Sequence, residues 1–374
     1  MQSKERGAAV LRPESEEHLA EIVRGANGPL SVRGGATRHT PRPGEALTTV
    51  GMTGITLYEP GALTIVARAG TPMAEVQAAL AAEGQRLPFE PMDHRNLLGT
   101  DGVPTIGGAV AMNVSGPRRV QVGACRDSLI GVRFVDGEGT VIKNGGRVMK
   151  NVTGYDLVKL MAGARGALGI LSEVSFKILP AAATEATLRL TGLDVAQAVR
   201  AMAAGLSSPF EVTAAAHDPA TTQTWMRIEG LDGSVAYRTK ELSRVLAPFG
   251  TVDRLDPDAS ATVWRAVRDA QAMQGTGDVW RLSVRPSHAA DIVARAGAEA
   301  SLLDWGGGLI WLRLPTGTDL RDRLGPFAGH ATRVRGAPDP QPEDAALAAL
   351  TSGIRARFDP KGLFRSTHHQ TAGA

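Results

Sequence analysis

Two glycine-flanked runs decide the fold of this 374-residue chain: Gly145-Gly146-Arg147-Val148-Met149-Lys150-Asn151-Val152-Thr153-Gly154-Tyr155-Asp156 and, further on, Gly166-Ala167-Leu168-Gly169-Ile170. Glycines on both sides of a strand-forming run let the main chain approach a flat or charged ligand that a Cβ atom would keep away. The two runs therefore predict a groove shaped for a cofactor.

Two further glycine clusters lie upstream: Leu30-Ser31-Val32-Arg33-Gly34-Gly35-Ala36-Thr37-Arg38 and Thr105-Ile106-Gly107-Gly108-Ala109-Val110-Ala111-Met112-Asn113. Each follows apolar residues, as a strand that runs into a ligand loop does. Consecutive glycines can turn successive N–H groups into a concave nest that binds phosphate oxygens without a lysine. One such cluster alone is typical of a hairpin or bulge. Both clusters together, followed by the two glycine-flanked runs, instead indicate a site for the pyrophosphate of a cofactor.

Together these residues resemble the FAD-binding domain of the vanillyl-alcohol oxidase (PCMH-type) flavoprotein family, in which a glycine loop and a later Gly-Gly strand clasp the FAD pyrophosphate. Within this family the chain is similar to the FAD-binding E-type subunits of bacterial glycolate oxidases, through residues 115–119, 126–132 and 148–156. The resemblance is dense from about residue 13 to residue 180, thin to about residue 336, and returns at residues 358–364.

The resemblance implies FAD that is bound noncovalently by main-chain contacts. The residues it predicts at the cofactor are Val32, Arg33, Gly34, Gly35, Ala36, Thr37, Pro91, Thr105, Ile106, Gly107, Gly108, Ala111, Asn113, Gly169 and Ile170. The last two are expected near the adenosine or ribose, and residues 88–91 beside the flavin ring. Several relatives attach the flavin to a histidine beside the first glycine loop. Here Ala36 follows the glycine pair, and His39 is interpreted as a solvent-facing loop residue.

The pattern along the chain predicts an α+β protein with a two-part PCMH-type FAD-binding domain at residues 1–180. An antiparallel-sheet cap with helices is expected at residues 181–336, and a C-terminal helix and tail at residues 337–374 return to the FAD domain. A chain of 374 residues exceeds what one hydrophobic core usually serves, which favours more than one domain.

In the first domain, apolar periodicity predicts a helix at residues 15–23 with Ser15 as its N-cap, and a second helix at residues 73–83. Strands are expected at residues 30–33 and 63–68, which with the second helix form a βαβ-type unit. A hairpin is expected at residues 129–143 and a closing strand at 171–179. In the cap we expect helices at 194–206, 235–249, 259–273 and from 288, and strands at 222–229, 279–286, 301–305 and 309–314. Short strands that alternate with helices indicate an antiparallel sheet with helices on one face.

Composition excludes several classes of protein. The charge sum is 41 − 38 = +3 with scattered basic residues, which argues against nucleic-acid binding. A single cysteine, Cys125, excludes an internal disulfide and an iron–sulfur cluster held by this chain alone. No apolar run reaches the eighteen or so residues of a membrane span, and residues 1–6 lead into no signal-peptide core. We expect a cytoplasmic protein that reaches a membrane only through partners.

No catalytic residue is predicted. Hydroxyacid-oxidising relatives carry a Gly-Ser-Glu-Gly-Thr-Leu-Gly run and a His-x-Gly-Asp-Gly-Asn-x-His motif. This chain has Gly163-Ala164-Arg165-Gly166-Ala167-Leu168-Gly169 at the first and no match to the second. Removal of a proton from an α-hydroxyl needs a base within hydrogen-bond reach, and none of the eight histidines stands out. No metal-spaced pair of histidines occurs.

The cap does place arginine beside tryptophan, in Trp225-Met226-Arg227 and Trp311-Leu312-Arg313, with Arg281 and Arg285 on another strand. Side chains two positions apart on a strand point to the same face. Such a face could bind a carboxylate through bidentate guanidinium contacts. Alternatively, the tryptophans fill the sheet–helix interface, and the arginines face solvent or a subunit contact.

Two functions follow. In the first, the chain is the FAD-binding subunit of a glycolate (2-hydroxyacid) oxidase complex, whose partners are a hydroxyacid-oxidising flavoprotein subunit and an iron–sulfur subunit. In the second, it is a noncatalytic electron-relay or assembly subunit whose flavin does not meet substrate. The absence of G-x-G-x-x-G and of a P-loop leaves a Rossmann domain unsupported. A UDP-N-acetylmuramate dehydrogenase type of flavoenzyme shares the FAD fold but needs an NADPH route that the sequence does not offer.

Overall fold

A computed structural model describes residues 10–38, 43–146, 154–337, 339 and 341–364 of the chain. Within these residues the strands form one five-stranded sheet, one eight-stranded sheet and two short pairs. Helices pack against both larger sheets. The predicted α+β class is confirmed.

The first part of the chain contains a five-stranded antiparallel sheet. The strands of this part of the chain are β1 Leu30–Arg33, β2 Glu45–Thr48, β3 Ile55–Glu59, β4 Thr64–Arg68, β5 Gln85–Arg86, β6 Leu129–Val135, β7 Val141–Gly145, β8 Ile170–Lys177 and β9 Leu179–Pro180. Its helices are α1 Glu16–Gly25, α2 Met73–Ala82, α3 Arg95–Leu98, α4 Ile106–Ala111, α5 Arg119–Val122, α6 Cys125–Ser128 and α7 Leu157–Met161. The sheet order is β3-β4-β8-β6-β7, and β5 pairs with β9. The predicted helices α1 and α2 and the β6–β7 hairpin are confirmed.

The predicted βαβ-type unit is wrong. Strand β1 pairs in parallel with β2, which follows it directly, whereas β4 belongs to the five-stranded sheet. The sequence analysis missed β2 because a four-residue strand, Glu-Ala-Leu-Thr, carries too little alternation to be recognised. The expected Gly-Gly strand is also wrong, since Gly107 and Gly108 lie in the first turn of α4. Thr105 caps that helix by accepting a hydrogen bond from the Gly108 amide at 3.2 Å.

The cap is built on an eight-stranded antiparallel sheet. Its strands are β10 Thr184–Thr191, β11 Ala214–Asp218, β12 Gln223–Gly230, β13 Val252–Arg254, β14 Asp278–Val284, β15 Ala300–Asp304, β16 Leu309–Leu314 and β17 Gly329–Arg335. Its helices are α8 Val195–Leu206, α9 Asp232–Leu246, α10 Pro257–Arg268, α11 Ala289–Ala296 and α12 Leu320–Leu324. The sheet order is β13-β10-β12-β11-β15-β16-β14-β17. The predicted antiparallel-sheet cap is confirmed.

The two faces of the cap sheet have different partners. Helices α8, α9, α11 and α12 bury their apolar residues against one face. The other face carries Trp225 and Trp311, which share a core with the five-stranded sheet. Helix α10 lies on this second side, since Trp264 belongs to the same core. Helices therefore occupy both sides of the cap sheet, rather than one as the sequence predicted, because the amphipathic pattern of α10 does not specify which face it covers.

A buried ion network joins the cap to the first part of the chain. Glu229 on β12 accepts hydrogen bonds from Arg86 at 2.5 Å and from Arg118. Arg227, on the same strand, donates to Glu90 at 2.9 Å and lies 4.9 Å from the Trp264 ring centre. Attraction from three arginines outweighs the effect of burial and lowers the pKa of Glu229 to about 2. The carboxylate is therefore charged at neutral pH, and it links β12 of the cap to β5 and to the residue before α5.

The chain ends with helix α13, Ala345–Phe358, followed by a short return segment. Leu363 and Phe364 are buried beside Leu19 and Leu30, and the Leu30 amide donates to the Leu363 carbonyl at 2.8 Å. The end of the described chain thus packs on α1 and β1, as the expected return to the FAD domain requires. The boundaries at residues 180 and 336 stay a prediction.

Candidate functional site

A cavity of about 830 Å³ lies between the first glycine loop, the loop before α4 and the cap edge strand β17. This volume is in the range of natural cofactor sites. All but two of the predicted cofactor residues line it: Val32, Arg33, Gly34, Gly35, Ala36, Thr37, Pro91, Thr105, Gly107, Gly108, Ala111, Gly169 and Ile170. Residues far apart in the sequence therefore converge on one space.

The loop after β1 presents free main-chain donors to this cavity. In the described part of the chain, the N–H groups of Gly34, Gly35, Ala36 and Thr37 have no hydrogen-bond acceptor, whereas the carbonyls of Gly34 and Thr37 accept from Thr48 and Thr100. Ala36 is left-handed, with φ +58°. A left-handed residue among unpaired amides is typical of an anion-binding nest. The loop fits the phosphate oxygens of a dinucleotide cofactor.

The second glycine loop does not offer such donors. The amides of Ile106, Gly107 and Gly108 donate to the Thr71 carbonyl, the Ala69 carbonyl and the Thr105 hydroxyl. The sequence-based expectation that this loop forms a second nest is therefore not supported, because its N–H groups are already bonded. This segment instead supplies a wall of small residues.

Close packing explains two of these glycines. A Cβ atom on Gly35 would lie 1.6 Å from the Val103 carbonyl oxygen, and one on Gly107 would lie 2.6 Å from the Ala69 Cβ. Both positions exclude a side chain. A Cβ atom on Gly108 would meet only the Thr105 hydroxyl, at 3.0 Å, so its free side is the cavity.

Two predicted residues lie away from the cavity lining. Ile106 is fully buried in the core of the first sheet. Asn113 has left-handed backbone, φ +48°, and its side-chain oxygen accepts a hydrogen bond from the Arg126 amide at 3.0 Å. Of the first glycine-flanked run quoted above, Gly145 to Asp156, residues 147–153 lie outside the described residues, as does His39.

Several charged cavity residues were not predicted, among them Arg38, His94 and Arg165. Burial, with repulsion from Arg165 and Arg281, lowers the pKa of Arg38 to about 9. Burial and the charge on Arg38 also lower the pKa of His94 well below its usual range, so the imidazole is neutral at pH 7. Arginines that repel one another at a cavity wall are a site for an anion. The position of Arg38 directly after the glycine loop was the available sequence signal.

The cap contributes Thr332, Arg333, Val334 and Arg335 of β17 to the same cavity. These residues follow the glycine loops by more than two hundred positions, and they meet them only because β17 is the edge strand beside β14. No local sequence pattern could have indicated this contact.

In the structure, the tryptophans and the arginines of the predicted pairs have different surroundings. Arg227 is bound to Glu90 and Glu229, Arg313 lies 3.4 Å from Glu299, and Arg285 is exposed. The tryptophans of these pairs fill the contact with the first sheet rather than the sheet–helix interface. Neither sequence interpretation of these pairs was correct in full.

Arg281 is the exception among these arginines. Its guanidinium carbon lies 5.1 Å from the Trp305 ring centre, and its cross-strand neighbour on β17 is the cavity residue Thr332. Burial and the charges of Arg119 and Arg165 lower its pKa to about 10. Nearby, burial raises the pKa of Asp304 to about 7, against a hydrogen bond from the Trp305 amide. Arg281 is not itself a lining residue, and it places a positive charge beside the cap residues that line the cavity.

The described residues contain no cluster of three His, Cys, Asp or Glu side chains that could hold a metal ion. None of their helices is both long enough and apolar enough to cross a membrane. Cys125 is fully buried and does not line the cavity. Burial raises the pKa of its thiol.

The fold and the nest-lined cavity define the class of FAD-binding proteins of the PCMH type. A family model described as a FAD binding domain matches residues 7–145. The solved structure of alkyldihydroxyacetonephosphate synthase superposes with a TM-score of 0.71 at 14% identity, covering 95% of this chain and 76% of that one. At that identity the likeness shows the fold alone.

Among curated proteins, glycolate oxidase subunit GlcE of Escherichia coli is 33% identical over 349 residues, which cover 90% of this chain and 91% of that protein. Glycolate oxidase subunit GlcD of Bacillus subtilis is 33% identical over 126 residues, 34% of this chain and 25% of that protein. The chain belongs to the PCMH-type family of FAD-linked oxidoreductases, as a homologue of a glycolate oxidase subunit. The predicted family is confirmed.

Proposed function

We propose that this chain is the FAD-binding subunit of a complex that oxidises glycolate or a similar 2-hydroxyacid and passes the electrons to an iron–sulfur partner subunit. The observation that carries the proposal is the loop of free amides at residues 34–37, beside Arg38 and Arg165 in one cavity. Similarity to GlcE over nine-tenths of the chain supports the complex. Bound FAD supplies the two-electron redox chemistry that these residues lack.

In this proposal FAD is noncovalent. The amides of residues 34–37 hold the pyrophosphate, with Arg38 offsetting its charge, and Gly169 and Ile170 lie against the adenosine or ribose. Ala36 has no nucleophilic atom where some relatives carry the attachment histidine. The cavity does contain His94, whose lowered pKa keeps it neutral. Replacing His94 is therefore the control for any test of attachment.

The proposal that a hydroxyacid binds to this chain depends on the positive charge of Arg281. Arg281 lies opposite the cavity residue Thr332 on the neighbouring strand, and it forms no salt bridge among the described residues, although its charge interacts with Asp304. A guanidinium group that forms no salt bridge favours a small carboxylate ligand. The alternative, a relay or assembly subunit, is favoured by Arg227 and Arg313, because both are already paired with glutamates of this chain.

Electrons must leave through another polypeptide in this proposal. The chain has one cysteine, and burial raises its thiol pKa and keeps it from the surface. The proposed partners are a hydroxyacid-oxidising flavoprotein subunit and an iron–sulfur subunit. We also propose that the chain works in the cytoplasm and reaches a membrane only through them.

Anaerobic addition of glycolate or D-lactate to the purified, FAD-loaded chain tests which hypothesis holds. Bleaching of the flavin absorbance supports contact between this flavin and the substrate. Flavin that stays oxidised with both acids, but is reduced when the hydroxyacid-oxidising subunit is added, supports the relay. An Arg281→Gln variant tests the contact between Arg281 and the substrate carboxylate. If this contact exists, the variant should bleach more slowly at unchanged FAD content.

A further inference from the structure

Helix α13 makes few contacts with the rest of the described residues. None of its fourteen residues is buried, and Leu347 and Leu350 are 48% and 62% exposed. An isolated helix of this length is marginal in water, and most helices in proteins are stabilised by packing of an apolar face. The amino-terminal half of α13 therefore has an apolar surface that the described residues do not cover.

The carboxyl-terminal half of α13, by contrast, is anchored. Ile354 and Phe358 pack against the core of the first sheet, and the Phe358 ring centre lies 6.1 Å from that of Phe134. The Gly137 amide also donates to the Phe358 carbonyl at 2.8 Å. The position of the helix is thus fixed at one end, while its other end presents the leucines.

The uncovered half is apolar on all sides. Residues 345–350 read Ala-Ala-Leu-Ala-Ala-Leu, and each of them is exposed except Ala348, which is half-buried. At 3.6 residues per turn, Ala349 points about 160° away from Leu347 and about 100° away from Leu350. A helix that is hydrophobic all round is normally buried all round. A groove that surrounds the helix fits this pattern, whereas a flat surface covers one side only.

The two terminal segments outside the described residues do not have the composition of such a groove. Residues 365–374, Arg-Ser-Thr-His-His-Gln-Thr-Ala-Gly-Ala, contain no apolar side chain larger than alanine, and residues 1–9 contain only Met1. If a second copy of the chain packed its α13 against this one across a two-fold axis, each helix would bury one side only. A different polypeptide is therefore favoured.

We propose that α13 inserts into an apolar groove of a partner subunit of the same oxidoreductase complex, with acidic side chains at the end of the groove that meets Arg357. This inference rests on the proposed function. Arg355, Arg357 and Lys361 make the carboxyl-terminal end of the helix basic, and Arg357 is exposed. Leu347 and Leu350 then act as helix-in-groove anchors at i and i+3.

The test is co-purification and titration of the full chain with the hydroxyacid-oxidising and iron–sulfur subunits of the same organism. Leu347→Asp with Leu350→Asp should weaken assembly about a hundredfold, since each buried anchor is worth about tenfold. Ala349→Arg should also weaken it at least tenfold, because a surrounding groove has no room for the longer side chain. The matched control is Leu231→Asp with Tyr237→Asp, which changes two exposed apolar residues of the cap and should leave assembly unchanged.

Flavin content and melting temperature are measured for every variant, and both should equal those of the unmodified chain because none of the changed residues is buried. Wild-type assembly by the leucine variant would overturn the docking surface and leave the proposed function standing. Loss in the leucine variant with none in Ala349→Arg would overturn the groove. A homodimer of the isolated chain that the leucine changes dissociate would identify a second copy as the occupant instead. Failure of the unmodified chain to bind either partner would contradict the proposed function itself.

Discussion

Replacing Glu229 with glutamine removes the central anion of the network that joins the cap to the FAD domain. The carboxylate is buried and faces Arg86, Arg118 and Arg227. Its pKa falls from 4.5 to about 2 on folding, which corresponds to about 3 kcal/mol of stability at neutral pH. Removal of one partner from a buried ion network costs a similar amount, about 3–5 kcal/mol, because charges are left unpaired. The two values agree in direction and size.

The assay is urea unfolding at pH 7, followed by circular dichroism. Glu229→Gln should lower the free energy of unfolding by about 3 kcal/mol, and the control Glu211→Gln, whose side chain is 71% exposed beside Arg238, should change it by under about 1 kcal/mol. Because the folded pKa of Glu229 is depressed, its contribution is present above pH 4.5 and is lost as the pH falls toward 2. A loss under 0.5 kcal/mol, roughly the effect of a neutral surface change, would refute the proposed role of the network.

Three further predictions concern the cavity and the cap. Gly108→Leu places a side chain in the cavity and should weaken FAD binding about 5- to 150-fold, the equivalent of about 1–3 kcal/mol of overpacking. The control, Gly233→Leu, changes an open position of α9 and should bind FAD normally in the same titration. Acid precipitation should release the flavin into a yellow supernatant from both the unmodified chain and His94→Ala; flavin retained in the pellet would contradict noncovalent binding. The folded pKa of Asp304 is raised from 3.8 to about 7, so its charge destabilises the fold increasingly as the pH rises from 4 to 7. Asp304→Asn should therefore melt at a higher temperature than the unmodified chain at pH 8 and at a similar one at pH 4, and an equal difference at both would contradict it.

The sequence predicted the parts of the site that are continuous in the chain. Gly34 to Thr37 were recognisable because consecutive small residues follow a strand, and they do form the loop of free amides. Gly107 and Gly108 were assigned to a strand, but Thr105 caps them into a helix whose amides are already bonded. The same glycine pattern thus leaves the main-chain amides free in one loop and hydrogen-bonded in the other.

The remaining features depend on contacts between distant segments. Arg335 reaches the cavity because β17 pairs with β14, and Arg227 is withdrawn from ligand binding because it meets Glu90, which is 137 positions away. Sequence periodicity shows which side of a strand a residue occupies, but not what covers that side. The role of Trp225 as a contact with the first sheet was unpredictable for the same reason.

Steady-state glycolate oxidation with an artificial dye tests the proposed role of the chain most directly. The rate should be near background for the isolated, FAD-loaded chain and should appear when the hydroxyacid-oxidising and iron–sulfur subunits are added. Gly108→Leu, added in place of the unmodified chain, should restore little of it. Robust dye reduction by the isolated chain, or full activity of the partner subunits without it, would contradict the proposal that it acts as one FAD-binding member of a larger complex.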